Sequence, residues 1–368
     1  MDWLHVSYAQ QLRFGCKVIE DVSRVLGDLG ARRVLLVCSS RGRESPGGRR
    51  LAHALGAALA TVFDGARPHV PESTVRAALE RLRSERIDAV VSFGGGSCSD
   101  LGKAVCYHAE QASGEPGKTC FDRPLVPHIT IPTTYSGAEV TPFFGVTDET
   151  ARRKSGAGSP TTAPAAVLYD PELTLDLPPR ASAETGMNAL AHCVEAAWSP
   201  VRTAEAEALA LAGAGQIYRA LPRVVENPHD LAARRAMLAG AMLAGRCLQN
   251  ASMGVHHGLA QMVGGRTGVS HGLANALILA RAVEFNADAV PDAIVQLAAA
   301  FGRHDGDAAR AIDDLRERLG LPARLCECGV SAEDIEVIAR LTPANATIAK
   351  NPKRVREEDA RAILTAAF

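Results

Sequence analysis

Short apolar runs punctuate the first half of the chain, and helical spacing fills the gaps between them. Arg33-Val34-Leu35-Leu36-Val37-Cys38 is continuous enough to be a strand buried on both faces, ended by the polar, glycine-rich stretch 39–48. The spacing then predicts a helix over 51–59, a strand over 60–64 and a helix over 73–85, where apolar residues recur at 75, 78, 79 and 82. Residues 87–93 read as another strand, running straight into Gly94-Gly95-Gly96-Ser97. A helix follows, and 128–132 is a further strand before Thr133-Thr134. Strands alternating with helices imply parallel pairing, so this part is predicted to be an α/β, doubly wound parallel sheet.

Near residue 180 the pattern changes. Residues 181–198, 204–220, 231–251, 252–264 and 271–285 all carry helical spacing with scarcely a strand signal. The more charged segment 291–368 adds amphipathic helices over 307–319 and 331–341. With Pro178-Pro179 at the shift, the expected division is 1–178, an α/β dinucleotide-binding domain, and 179–368, an all-α catalytic domain. The site is expected in the cleft between them.

Composition narrows the class. A chain of 368 residues with 47% hydrophobic content is long and apolar enough for two buried cores, which excludes disorder. Forty basic against forty-one acidic residues leave no polycationic face, so no nucleic-acid partner is expected. No apolar run of about 20 residues exists, so no membrane span is expected either. The nine scattered cysteines and the lack of an apolar leader pattern in 1–14 point to reduced thiols and a cytoplasmic protein. Cys326-Glu327-Cys328 lacks the second pair that a zinc site needs.

Two features carry candidate chemistry. Gly94-Gly95-Gly96-Ser97 stands between a strand and a helix, where side-chain-free backbone can close on a phosphate at a helix N-terminus. A triple glycine can also be only a tight turn, and neither the dinucleotide fingerprint nor a P-loop is present. Asp100 and Lys103 on the first turns of the helix, and the second post-strand turn Pro132-Thr133-Thr134-Tyr135-Ser136-Gly137, favour a ligand. After the first strand come Ser39, Ser40, Arg41 and Arg43 with no acid before Glu44; hydroxyls and arginines suit a 2′-phosphate, which favours NADPH over NADH. The second feature is histidine. Asn188 and His192 lie one turn apart on one helix face with Glu195 next along it, and His256-His257 and His271 follow. Spacing alone leaves both a shared site and a metal site open.

These residues resemble the iron-containing (group III) alcohol dehydrogenases, most closely their maleylacetate reductase branch. The marks are Phe93-Gly94-Gly95-Gly96-Ser97 with Asp100 and Lys103; Pro132-Thr133-Thr134-Tyr135-Ser136-Gly137-Ala138-Glu139-Val140-Thr141; and Tyr169-Asp170-Pro171-Glu172-Leu173. Gly186-Met187-Asn188-Ala189 with His192, Glu195 and Ala196, then Gly254-Val255-His256-His257-Gly258-Leu259 and His271-Gly272-Leu273-Ala274-Asn275-Ala276, complete them. The resemblance implies cofactor contacts from Ser39, Arg41, Gly94, Gly95, Gly96, Ser97, Asp100, Thr133, Thr134, Ser136, Thr141 and Lys154. The family's metal ligands fall on Asn188, His192, His257 and His271. A neutral amide replaces the one anionic ligand there, so function without metal is expected; were a metal bound, His192, His257 and His271 would hold it. Catalytic roles, proton donation above all, go to His192, His256, His257 and His271, with Asn188 beside them.

The substrate is expected to meet Tyr135, Gln261 and Arg266. Departures from the branch cluster there. Gly258 and Gln261 stand where a Lys and a His are usual, Asn275 and Arg281 where further histidines are usual, and Asp100 is the metal-dependent branch's residue. The expected function is a metal-independent NAD(P)H-dependent reductase of an enone, oxo acid or carbonyl compound. The alternatives are a metal-dependent alcohol dehydrogenase, or non-redox cyclase or dehydratase chemistry on the same scaffold. The family also implies a homodimer through an N-terminal strand, which 7–14 could supply.

Overall fold

The computed structural model describes residues 3–150 and 153–368, without the side chains of Arg153 and Lys154, so the contact expected of Lys154 lies outside the described residues. The chain divides into two compact units, Val6–Leu177 and Pro178–Phe368, the latter joined by the N-terminal residues through His5. His5 is held there by Thr203 Oγ1 at 3.0 Å and by Glu205.

In chain order the first unit contains β1 (Gln11–Phe14), α1 (Val22–Leu29), β2 (Val34–Val37), α2 (Ser40–Glu44), α3 (Pro46–Leu55), β3 (Leu59–Phe63), α4 (Glu72–Ser84), β4 (Ala89–Gly94), α5 (Gly96–Ser113), β5 (His128–Pro132), β6 (Phe143–Asp148), β7 (Arg153–Gly158) and β8 (Ala166–Tyr169). Six strands form one parallel sheet in the order β1-β8-β5-β4-β2-β3, with Val34 opposite Ala89 and Val90 opposite His128. One face buries Val34, Leu36, Val91 and Ile129 and the other Leu35, Val37 and Val90, which is why these runs read as continuously apolar. β6 and β7 pair apart from that sheet as an antiparallel hairpin. The short α2 replaces part of the expected loop 39–48, because Ser39 and Ser45 cap two successive helical starts by accepting from Gly42 and Gly48 N–H.

The second unit is all helical: α6 (Pro179–Trp198), α7 (Ala204–Glu226), α8 (Leu231–Cys247), α9 (Val255–Thr267), α10 (His271–Asn286), α11 (Pro291–Ala300), α12 (Ala308–Arg318), α13 (Ala332–Leu341) and α14 (Glu357–Ala366). Small residues let α6, α7 and α8 approach closely: a Cβ at Gly213 would stand 2.9 Å from Cys193 Sγ. Around α9 and α10, Val255, Leu259, Val263, Leu277 and Ile278 pack with Ile335, Ile338 and Ile348. Each such side chain contributes about 2 kcal/mol by burial, which makes this core a rigid mount for polar groups at the helix ends. No described helix is long and apolar enough to cross a membrane.

Candidate active site

In the sheet unit, chain order runs from β2 outward to β3 on one side, while β4 lies on the other. That reversal is a topological switch point at the C-terminal ends of β2 and β4, the place where open α/β sheets bind ligands. Gly94 leaves β4 at φ 143°, a conformation that an L side chain would strain. A Cβ at Gly95 would stand 3.0 Å from Thr134 Cγ2, and one at Gly96 3.1 Å from Ser136 Cβ, so the turns after β4 and β5 meet across bare backbone. Thr133 N–H donates to Gly94 O at 2.9 Å, tying the turns together. Thr134 Oγ1 is buried without a hydrogen-bond partner at the N-terminus of the long α5. Bare backbone, an orphaned hydroxyl and a helix N-terminus together fit a dinucleotide pyrophosphate.

Several expected contacts in this unit are corrected. Lys103 is fully buried and donates to Ala138 O, Thr141 Oγ1 and Phe143 O beside the Asp100 carboxylate, so it clasps the turn and has nothing to offer a phosphate. Asp100, which also accepts from Gly145 N–H, and Thr141 belong to that clasp rather than to a cofactor contact. Tyr135 is fully buried and has no accessible surface for a substrate. Ser39 Oγ is used as a helix cap, and Ser136 Oγ donates to buried Glu139. Arg43 pairs with Asp64 at 2.8 Å, whereas Arg41 is exposed and makes no ion pair among the described residues.

In the helical unit, α6 presents Asn188, His192 and Glu195 on one face. The first turn of α9 brings His256 and His257, and the first turns of α10 bring His271 and Asn275. The His192 and His257 rings stack with centroids 4.6 Å apart and planes at 17°; the half-buried His271 lies 5.9 Å from His257. Asn275 Nδ2 donates to Asn188 Oδ1 at 3.0 Å and to His271 O at 2.8 Å. Beneath them the fully buried Glu195 accepts from Gly254 N–H, His256 N–H and His257 N–H at 3.0, 3.1 and 3.1 Å, and from the His257 ring at 2.7 Å. It caps α9 as an anion at the positive end of the helix. Two ring nitrogens, His192 Nδ1 and His257 Nε2, are buried with no hydrogen-bond partner.

Burial by itself would push the Glu195 carboxyl up, but hydrogen bonds and charge from His256 and His257 outweigh it and hold the group well below the usual carboxylate range. Burial pushes His257 down, opposed by Glu195. Burial, then the neighbouring His257 and His271, hold His192 well below its ordinary value. At neutral pH the site is thus an ionised carboxylate under neutral His192 and His257.

His256 is corrected from proton donor to scaffold: it is fully buried, with Nε2 on Asn275 O at 3.0 Å and Nδ1 facing His257 Nδ1. Arg266 is corrected too. It lies nine residues past His257 on α9, about 13 Å along the axis, and is exposed and paired with Asp334 at 2.6 Å. Arg281 pairs with Glu284 and Asp313. Gln261 remains exposed one turn beyond His257. Gly258 is bare because a Cβ there would come 2.2 Å from Ile348 Cγ1, which leaves no room for the Lys that is usual in the branch.

Glu195, His256 and His257 place potential ligand atoms within 4.8 Å of one another. Four N–H groups already occupy that carboxylate, so the cluster is a hydrogen-bond hub. A dication at His192, His257 and His271 would instead face the neutral Asn188, whose oxygen already accepts from Asn275. The set thus offers a dication three imidazoles and no anionic ligand. Glu195, Asn275 and Asn351, which caps Val255 N–H at 3.2 Å, had no assigned role in the sequence. The signal for Glu195 was a carboxylate on the face of α6 that carries Asn188 and His192, one turn past His192.

Comparisons with known proteins bear on both units. Residues 9–171 match the family described as iron-containing alcohol dehydrogenase, and 182–368 match the C-terminal part of the Fe-containing alcohol dehydrogenase family. The chain is 34% identical over 366 residues to a maleylacetate reductase of Rhizobium sp. (strain MTP-10005), covering 100% of this chain and 97% of that one. A crystal structure of maleylacetate reductase from Agrobacterium tumefaciens superimposes with a TM-score of 0.89 at 33% identity, covering 100% and 98% of the two chains. A 1,3-propanediol oxidoreductase structure gives 0.92 at 29% identity, covering 100% and 99%. With matches spanning both units, and with a phosphate cradle and a histidine cluster on the shared fold, the chain belongs to the iron-containing alcohol dehydrogenase superfamily, in its maleylacetate reductase branch, and is an NAD(P)H-dependent oxidoreductase.

Proposed function

We propose that the protein is a metal-independent reductase of a small or medium enone, oxo acid or carbonyl compound, with chemistry like that of maleylacetate reductase. The observation that carries this reading is Asn188: its oxygen is held by Asn275 at 3.0 Å where the metal-dependent branch has an anionic ligand. Bound NAD(P)H supplies a hydride. The glycine turn and Thr134 hold the pyrophosphate, and His192 and His257 serve the proton. For an enone, a hydride from the bound cofactor would add at the β-carbon, and the enolate would take one proton through His192 or His257, the imidazole first taking that proton up from solvent. Because the two rings stack at 4.6 Å, charge on one opposes charge on the other, so the pair takes up one extra proton at a time. Arg41 supports a preference for NADPH. Among the described strands β1 lies at the sheet edge beside β8, which supports a homodimer formed along that edge, to be checked by light scattering.

The test is a fluorescence titration with NADH and NADPH on metal-assayed protein, followed by a screen of maleylacetate, simpler enones and oxo acids. Binding without stoichiometric metal is expected; no binding of either nucleotide overturns the reading. A metal-dependent alcohol dehydrogenase is the second reading, favoured by the three imidazoles grouped at His257. Stoichiometric zinc or iron in the active protein selects it.

A further inference from the structure

We propose that Glu195 is a positioning residue that locks His257 in its Nδ1–H tautomer, so that the Nε2 lone pair is what this ring presents for chemistry. The assignment follows from which atoms can only accept. Three backbone N–H groups donate to the Glu195 oxygens and leave the carboxylate acting as an acceptor only, and Glu195 Oε2 lies 2.7 Å from His257 Nδ1, so the hydrogen between them sits on the ring. His256 cannot exchange roles with its neighbour. Its Nε2 faces the carbonyl oxygen of Asn275 at 3.0 Å, which only accepts, so the hydrogen of that bond sits on His256 Nε2, and in the neutral ring Nδ1 is left to accept from His257 Nδ1 at 3.3 Å. One proton on His257 Nδ1 satisfies both neighbours. Moved to Nε2, it would leave three lone pairs, on Glu195 Oε2, His256 Nδ1 and His257 Nδ1, facing one another in a buried space, a desolvation cost without compensation.

The backbone enforces the arrangement. Three of the four N–H groups from Gly254 to His257 end on Glu195, and the fourth, Val255 N–H, ends on Asn351 Oδ1. Asn351 is itself fixed by reciprocal bonds with Asn286 at 2.7 and 3.1 Å. The carboxylate therefore cannot shift without uncapping α9, and the ring cannot turn without losing the carboxylate. His257 Nε2, buried and unpartnered, is left as an acceptor. It can deliver a proton only after taking one up, with the resulting charge resting against Glu195. That last role rests on the reductase reading above; the tautomer does not.

The experiment is a long-range 1H–15N correlation spectrum of the full chain labelled with 15N-histidine, at pH 8, with His257 assigned by its loss in His257→Gln. A protonated Nδ1 and a bare Nε2 are expected in the unaltered protein. In Glu195→Gln the carboxamide can donate to Nδ1, so the tautomer should switch to Nε2–H and kcat fall roughly 10- to 100-fold, with nicotinamide affinity held within about threefold. Glu195→Asp should keep Nδ1–H and recover part of the rate. Nε2–H or a doubly protonated ring in the unaltered protein overturns the proposal without any variant having to fold. A tautomer that stays put in Glu195→Gln overturns it as well. Failure to bind either nucleotide would sink the reductase reading alone and leave the spectrum unchanged.

Discussion

Lys103 in the sheet unit and Glu195 in the helical unit are both fully buried charges at the root of a site, and they do different work. Lys103 holds the carbonyls of Ala138 and Phe143, the Thr141 hydroxyl and Asp100, so it knits the turn after β5 to the start of β6 and to α5. Glu195 also satisfies backbone, but one of its hydrogen bonds goes to the imidazole of His257. A buried charge spent wholly on local backbone and hydroxyls fixes a frame. One that shares its bonds with a titratable ring also decides what that ring can do. Sequence spacing suggests the reverse, setting Lys103 near a phosphate and leaving Glu195 without a role.

Removing each charge should break or sharpen that contrast, and the largest effects are on stability. Lys103→Met strands buried acceptors and should cost about 3–5 kcal/mol in denaturant unfolding, with kcat of the folded fraction held within about threefold. Glu195→Gln should lose less stability and far more turnover. Equal ratios of the two effects in both variants would erase the distinction. Next, Asn188→Asp places an anion beside His192, His257 and His271 and should tighten zinc about 10- to 100-fold by calorimetry; unchanged affinity would mean that the amide does not set the affinity for metal.

Acid should weaken both units through histidines kept neutral. His128 is held down to about 3 by burial and by Lys103, and His192 well below its ordinary 6.5 by burial and its imidazole neighbours. With folded values lowered, the unfolded chain takes up the proton first. The stability is full above about pH 6.5 and is lost as pH falls toward the folded values, with about 2 kcal/mol of the loss from His128 by pH 5. His128→Gln should remove its share of that slope, and an unaltered slope would refute the assignment. The smallest effect belongs to Arg41→Ala, expected to weaken NADPH about fivefold and leave NADH unmoved, as the exposed side chain implies.

Much of the frame was legible because β2, β4 and β5 are buried on both faces and so continuously apolar. The hairpin β6–β7 was not, since its second strand, Arg153–Gly158, is mostly small and polar and carries no alternation. β1 and β8 are four residues each, too short for a period to show. The gathering of Asn188, His192, His257 and His271 was legible through the family motifs. Which of two adjacent histidines faces inward was not: successive residues on a helix point about 100° apart, and only the Asn275 carbonyl shows that His256 is fully committed. The role of Glu195 was not legible because three of its four partners are backbone N–H groups, which leave no trace in residue identity.

The central claim is that this site reduces its substrate without a metal. The most direct measurement is NAD(P)H oxidation by chelator-dialysed protein with maleylacetate and related enones, metal content being assayed on the same sample. Turnover undiminished at well below one metal per chain is the result expected from the Asn188–Asn275 pair. Turnover that vanishes on chelation and returns in proportion to added zinc or iron would contradict it.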